Sequence, residues 1–126
     1  MSKENLYLAE RLTSQQLIEM WIGEFGPHMP LQEILCLFLI TDGERLNRPL
    51  DLKTLAKRVG CARSTASRYV ADLSDLPGGL GLIRMETDLR DRRVKRLYPI
   101  AKLRRIQTRM LKKLHAINAE HFGRAA

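Results

Sequence analysis

The sequence predicts a mainly α fold with one small β-hairpin, and three observations carry that expectation. Apolar residues recur at helical spacing at both ends of the chain, two short helices meet at a tight turn in its middle, and two extended segments follow, joined by a charged loop. With 126 residues, 44% of them apolar, a single domain with its own core is expected. Lys and Arg number 22 against 14 Asp and Glu, and the resulting formal charge of +8 favours a polyanionic partner. No segment approaches the roughly 20 apolar residues that span a bilayer, and Leu31 to Ile40 is the longest candidate. Met1-Ser2-Lys3-Glu4-Asn5 lacks the apolar run and small-residue cleavage site of a secretory signal, so a cytoplasmic protein is expected.

From about Lys3 to Glu24, residues Leu6, Ala9, Leu12, Leu17, Met20 and Trp21 fall at mostly helical spacings. Thr13 and Gln16 match a capping box, so the stretch reads as one helix, or as two with a restart there, and Gly26-Pro27 ends it. Pro30 suits the first position of a second helix, whose residues Leu31 to Ile40 are apolar nearly all round, as in a buried central helix; Asp42-Gly43 closes it. Asp51 can cap a helix of about two turns with Leu52, Leu55, Ala56 and Val59 inward, and Gly60 can take the left-handed conformation that stops it. Past Cys61 and Ala62, a helix from about Arg63 to Ser74 carries Ala66, Val70 and Leu73 inward at i, i+4 and i+7. Leu76-Pro77-Gly78-Gly79 signals a loop, and Leu82 to Thr87 with Val94 to Tyr98 read as a hairpin across Asp88-Leu89-Arg90-Asp91-Arg92-Arg93. The last helix, from about Ile100 to Phe122, presents Leu103, Ile106, Met110, Leu114 and Ile117 as a nearly heptad stripe.

Little here points to catalysis or to a metal. His28, His115 and His121 have no partners at triad or zinc spacing, neither cysteine lies in a CxxC pair, and no cofactor is expected. Cys36, within an apolar run, reads as an inert buried thiol. Cys61, near Arg58 and Arg63, reads as turn packing, with redox sensing as the alternative. The outer face of the helix beginning at Arg63 is more telling. Ser64, Thr65, Ser67, Arg68 and Tyr69 make it rich in small hydrogen-bonding groups and arginine, which suits a helix lying in a DNA major groove.

Leu50-Asp51-Leu52-Lys53-Thr54-Leu55-Ala56-Lys57-Arg58-Val59-Gly60, followed by Ser64-Thr65-Ala66-Ser67-Arg68 and Leu73, resembles the helix-turn-helix of the multiple-antibiotic-resistance regulator (MarR) family. Gly81-Leu82-Ile83 stands where that family begins its wing, and Asp91-Arg92-Arg93 where it carries an Asp-x-Arg wing-tip motif; the likeness runs from Leu50 to Tyr98. It departs at Ala62, where a capping Ser is usual, in the longer connection between Leu73 and Gly81, and in Pro99-Ile100-Ala101-Lys102-Leu103, which replaces a Leu-Thr-x-x-Gly. The resemblance implies a winged helix-turn-helix with a DNA-binding core over about 31–99 and dimerisation helices over about 3–24 and 100–122. It also implies a homodimeric transcriptional regulator that straddles a palindromic site on double-stranded DNA. Many members bind small-molecule effectors, although no polar cluster in this sequence specifies one.

On that reading Arg68 addresses a base edge, Ser64, Thr65 and Ser67 meet bases or backbone, and Lys53, Lys57, Arg58 and Arg63 meet phosphates. Arg92 or Arg93 enters the minor groove while Asp91 fixes the loop, with Arg84, Arg90 and Lys95 completing the basic wing. Two alternatives use the same fold: a phage or plasmid replication or partition factor, whose site would lie in an origin or centromere-like repeat, and a protein-interaction subunit, against which the charge argues.

Overall fold

The computed structural model describes residues 3–121, with the side chains of Leu6, Tyr7, Ala9 and His121 outside the description, as is Phe122. Its elements are α1 (Lys3–Phe25), α2 (Leu31–Arg45), α3 (Leu52–Val59), α4 (Arg63–Leu73), β1 (Ile83–Thr87), β2 (Lys95–Pro99) and α5 (Ala101–His121). The chain divides into two compact units, one of the segments up to Met29 and from Arg105, the other Pro30–Arg104.

In the first unit α1 is a single helix, so the Thr13–Gln16 pattern does not restart it. A capping box needs an extended residue at its head, and here the backbone stays helical; the neighbouring Ser14 donates to the Glu10 carbonyl at 3.0 Å instead. Met20, Ile106 and Met110 are buried, and Glu24 accepts both Nε and Nη2 of Arg109 at 2.8 Å. That fork holds the Glu24 carboxyl below its usual range. Leu114 and Ile117, farther along the stripe, are only half-buried.

The second unit is built on α2. Pro30 is its N-cap rather than its first residue, with ψ 146°, and the helix runs three residues past Asp42 to end at Arg45, with Leu46 as its C-cap. The glycine expected to stop it serves another purpose. Gly43 is buried where a Cβ would lie 3.0 Å from the Arg48 carbonyl oxygen and 3.3 Å from Leu50, so it admits the returning chain, and Asn47 takes the left-handed turn instead, with φ 58°. Ile34, Cys36, Leu37, Leu39 and Ile40 are buried, but Leu31, Leu35 and Phe38 remain exposed along one face, so α2 is not enclosed all round. Burial pushes the Cys36 thiol up to about 12, which leaves it protonated and unreactive. Cys61 is half-buried.

The helix pair forms as the sequence predicts. Asp51 is extended and its Oδ1 accepts the Thr54 amide at 2.8 Å, while Gly60 ends α3 with φ 83°. Leu55, Ala56 and Val59 of α3 pack with Ala66, Val70 and Leu73 of α4. Ala62 caps α4 without a side-chain bond. The long connection after α4 satisfies the helix's last carbonyls: the amides of Leu80, Gly81 and Leu82 donate to Asp72, Ser74 and Leu73 at 2.8 Å each. Gly79 permits this, since a Cβ there would fall 2.1 Å from the Ser74 oxygen. The two strands pair antiparallel from Ile83 with Pro99 to Thr87 with Lys95, each starting one residue later than the alternation suggests.

One buried polar group stands out. Glu33 of α2 is 5% exposed, its Oε1 has no hydrogen-bond partner among the described residues, and the Asp72 carboxylate of α4 adjoins it. Desolvation and that neighbour raise its pKa to about 7. A carboxyl that is protonated in the fold but ionised in the unfolded chain contributes stability below the unfolded value, and the contribution is lost as pH rises through about 7. Glu33→Gln should therefore gain stability relative to wild type as pH rises, by on the order of 1–3 kcal/mol at pH 8 and little near pH 4.5. Urea denaturation of both proteins across that range checks this, and a difference independent of pH would contradict it.

Candidate nucleic-acid interface

The inward residues of α4 set the direction of all the others. At about 100° per residue, Ser64 and Arg68 lie nearly opposite the buried row, Arg63 and Ser67 turn toward the hairpin, and Thr65 and Tyr69 turn to the other flank. Burial agrees: Arg63, Ser64, Ser67 and Arg68 are exposed and Thr65 is half-buried. The Tyr69 hydroxyl donates to Gln32 Oε1 on α2 at 3.0 Å, which ties that flank of α4 down. The outward face is consequently polar and presented by a helix fixed on two sides.

Between this helix pair and the hairpin lies an open cleft of about 650 Å³. Lys53 from α3, Arg63 and Ser67 from α4, and Asp91, Arg93 and Lys95 from the wing line it, so six of the residues expected from sequence share one concavity. Its floor is apolar, with Val70, Met85 and Leu97. Strand alternation accounts for the split of the remaining ones: Met85, Leu97 and Lys95 face the cleft, whereas Arg84, Glu86, Arg96 and Tyr98 occupy the opposite face. Arg84 sits there with its guanidinium 4.7 Å over the Tyr98 ring and 2.6 Å from Glu86 Oε1.

The wing tip is ordered by its two aspartates. Asp91 Oδ1 accepts the Arg93 amide and the Arg93 Nε, both at 3.1 Å, and Oδ2 accepts Nη2 at 3.3 Å. Asp88 Oδ1 accepts the Arg90 amide at 2.7 Å, and its Oδ2 accepts Arg96 Nε at 3.0 Å. These bonds hold both carboxyls below the usual range: for Asp88 the Arg90 amide and then Arg96, for Asp91 the Arg93 side chain and then its amide. Arg92 is exposed.

Two arginines on the far side of the wing escaped the sequence reading. Arg48 and Arg96, with the expected Arg90, line a second recess of about 690 Å³ that also contains Asp88 and Tyr98. Arg96 reaches past Asp88 to the Pro49 carbonyl at 3.3 Å, and its backbone bridges that of Asp51. Burial pushes the Asp51 carboxyl up, but the hydrogen bonds from Thr54 and the Arg96 charge outweigh it and the pKa is lowered. Alternation places Arg96 opposite the cleft, and that was the available signal; its long-range partners were not legible. Among the described residues no group of His, Cys, Asp and Glu is arranged to hold a metal ion, and no helix is long and apolar enough to cross a membrane.

Two short helices at a tight turn, with a hairpin whose second strand pairs back to the residues before the first of them, define a winged helix-turn-helix protein. No known family profile matches the sequence, and no curated protein matches it. Solved structures do, and they place the chain in the fold of MarR-family regulators. A MepR mutant from S. aureus, bound to an oligodeoxyribonucleotide, superposes with a TM-score of 0.67 at 14% identity, over 97% of this chain and 85% of that one. FabT from Streptococcus pneumoniae, in complex with DNA, gives 0.62 at 21% identity, over 94% and 78% of the two chains. A MarR-like transcriptional regulator from Thermotoga maritima gives 0.62 at 18% identity, over 95% and 80%.

The Arg96 bonds join the wing to the segment before α3, so their loss should loosen the tip without unfolding the core. Arg96→Met is expected to leave the unfolding midpoint nearly unchanged while amide exchange at Arg90 and Arg93 accelerates about tenfold. Unaltered exchange at those amides would show that Asp88 and Asp91 order the tip unaided.

Proposed function

We propose that the chain is a MarR-type transcriptional regulator that binds double-stranded DNA as a homodimer, with α4 in the major groove and the wing along the adjacent minor groove. The observation that carries this is the cleft itself: a polar, arginine-bearing helix face and a basic hairpin meet around one concavity in a chain of net charge +8. The DNA in the S. aureus and S. pneumoniae structures of the same fold supports it.

In this reading Arg68 reads a base edge, since a guanidinium can donate twice to guanine, and Ser64 and Ser67 contact bases or nearby phosphates. Lys53, Arg63 and Lys95 neutralise phosphates around the cleft. Thr65, on the flank toward α2, has the least reach of the four residues assigned to the groove. Asp91 works indirectly by aiming Arg93, and Arg90 and Arg92 supply the charge that a narrow minor groove attracts. Arg84, committed to Glu86 and Tyr98, stiffens the wing and adds long-range charge.

Binding to a site selected from a random duplex library should weaken about a thousandfold between 50 and 200 mM salt, because a dimer making roughly 6–10 phosphate contacts releases that many condensed counterions. Arg68→Ala should cost about 1–3 kcal/mol on the selected site and relax preference at particular base pairs. Uniform weakening across all sequences would make Arg68 a phosphate clamp, and a flat salt response would remove the basis for duplex binding.

The dimer is supported by Ile18, Ile22 and Leu111, which stay 47–64% exposed in the unit formed by the chain's two ends. Light scattering at micromolar concentration should return twice 14.5 kDa. A monomer mass would rule out a twofold-symmetric site.

A further inference from the structure

Leu89 is the most exposed large apolar residue of the described chain, at 100%, and it stands at the wing tip between Asp88 and Arg90. A leucine left in water contributes nothing to folding, and a flexible tip would let it settle against the nearest apolar surface. That surface is close by: Leu89 lines one recess with Leu50 and Tyr98. Leu89 nevertheless stays fully exposed, and the backbone around it is tied. The Asp88 amide donates to the Val94 carbonyl at 2.8 Å, the Asp88 carboxylate takes the Arg90 amide on one oxygen and Arg96 on the other, and Arg96 is anchored in turn on Pro49. The isobutyl group is therefore carried, fully exposed, on a braced support.

The charges around it complete the picture. Arg90 and Arg92 follow the leucine in the loop and are exposed, and Arg93 is exposed beyond them. The three carboxylates of the wing that could repel a phosphate, Glu86, Asp88 and Asp91, are all paired with arginine side chains. An apolar tip on a braced hairpin, with exposed cations following it in the same loop to grip the backbone, has the design of the side chains that enter the minor groove and part a base step. We propose that Leu89 is such a wedge: it inserts at a base step in the minor groove beside the α4 site and favours steps that unstack easily. The assignment rests on the reading of the chain as a duplex-binding regulator and adds to it a specificity residue that reads deformability rather than hydrogen-bonding pattern. Pyrimidine–purine steps, TA and CA above all, open at least cost and are its preferred targets.

The test uses the full chain and a random-sequence duplex library, selected in parallel by wild type, Leu89→Ala and Leu89→Met. Leu89→Ala changes a fully exposed side chain, and an unaltered melting temperature confirms that it folds. Wild type should recover a core sequence with TA or CA steps at a fixed distance on both sides. Leu89→Ala should recover the same core with those flanking steps lost and bind the wild-type site about tenfold more weakly, the effect of withdrawing most of a leucine from an apolar contact. Leu89→Met, which keeps an apolar wedge, should retain both the flanking steps and the affinity. Fluorescence of 2-aminopurine placed at the flanking step should rise when wild type binds and stay low with Leu89→Ala. Leu89→Ala that keeps the flanking preference, or binds the site within twofold of wild type, overturns the wedge while leaving the regulator reading intact. Failure of wild type to recover any sequence overturns both.

Discussion

The amide of Leu97 donates to the carbonyl of Leu50 at 2.9 Å, and beside that bond the backbones of Asp51 and Arg96 bridge. This short contact, little more than one rung of a third strand, joins the wing to the helix pair. Asp51 is at once the strand partner of the wing and the cap of α3, so the position of the hairpin and the start of the helix pair are set by the same residue. α3 packs on α4 through Leu55, Ala56 and Val59, and α4 presents Ser64 and Arg68. The angle between polar helix face and basic hairpin therefore depends on a joint of two residues, and Arg96 braces it from the far side through Pro49.

Acidic residues have a structural use on this basic surface. Asp88 and Asp91 reduce the positive charge of the wing, yet each accepts a backbone amide two residues onward and an arginine side chain. The cost is modest in water, where exposed ion pairs contribute little. The gain is geometric, because a loop of six charged and apolar residues is held in one conformation instead of many.

Local signals were the legible ones. Asp51 and Gly60 bracket α3 because capping chemistry is written within four residues of each helix end, and Ala66, Val70 and Leu73 lie inward because a 3.6-residue period needs no knowledge of the partner. The misreadings came where a local signal was overruled by a distant neighbour. Gly43 looked like a helix stop, but its missing side chain makes room for Arg48 and Leu50 while α2 continues. Thr13 and Gln16 carried a capping pattern inside a stretch whose flanks keep it helical. The apolar run from Leu31 to Ile40 did not reveal that Leu31, Leu35 and Phe38 would be left uncovered within this chain. Of the candidate interface, Asp91 with Arg93 could be read because they are two residues apart. Arg96 could not, since Pro49 and Asp88 become its partners only after the wing has folded back, and Arg48 shares a recess with it only then.

The extra length between α4 and β1 has a practical corollary for anyone who wishes to alter or label this chain. Because the amides of Leu80, Gly81 and Leu82 close the end of α4, deleting residues here would unravel the last turn of that helix rather than trim an idle loop. Leu76, Pro77 and Gly78, by contrast, are exposed and lie between the residues that make those bonds. They form the natural splice point of the unit, where a peptide tag or a fluorophore-bearing insert would leave the helix end closed.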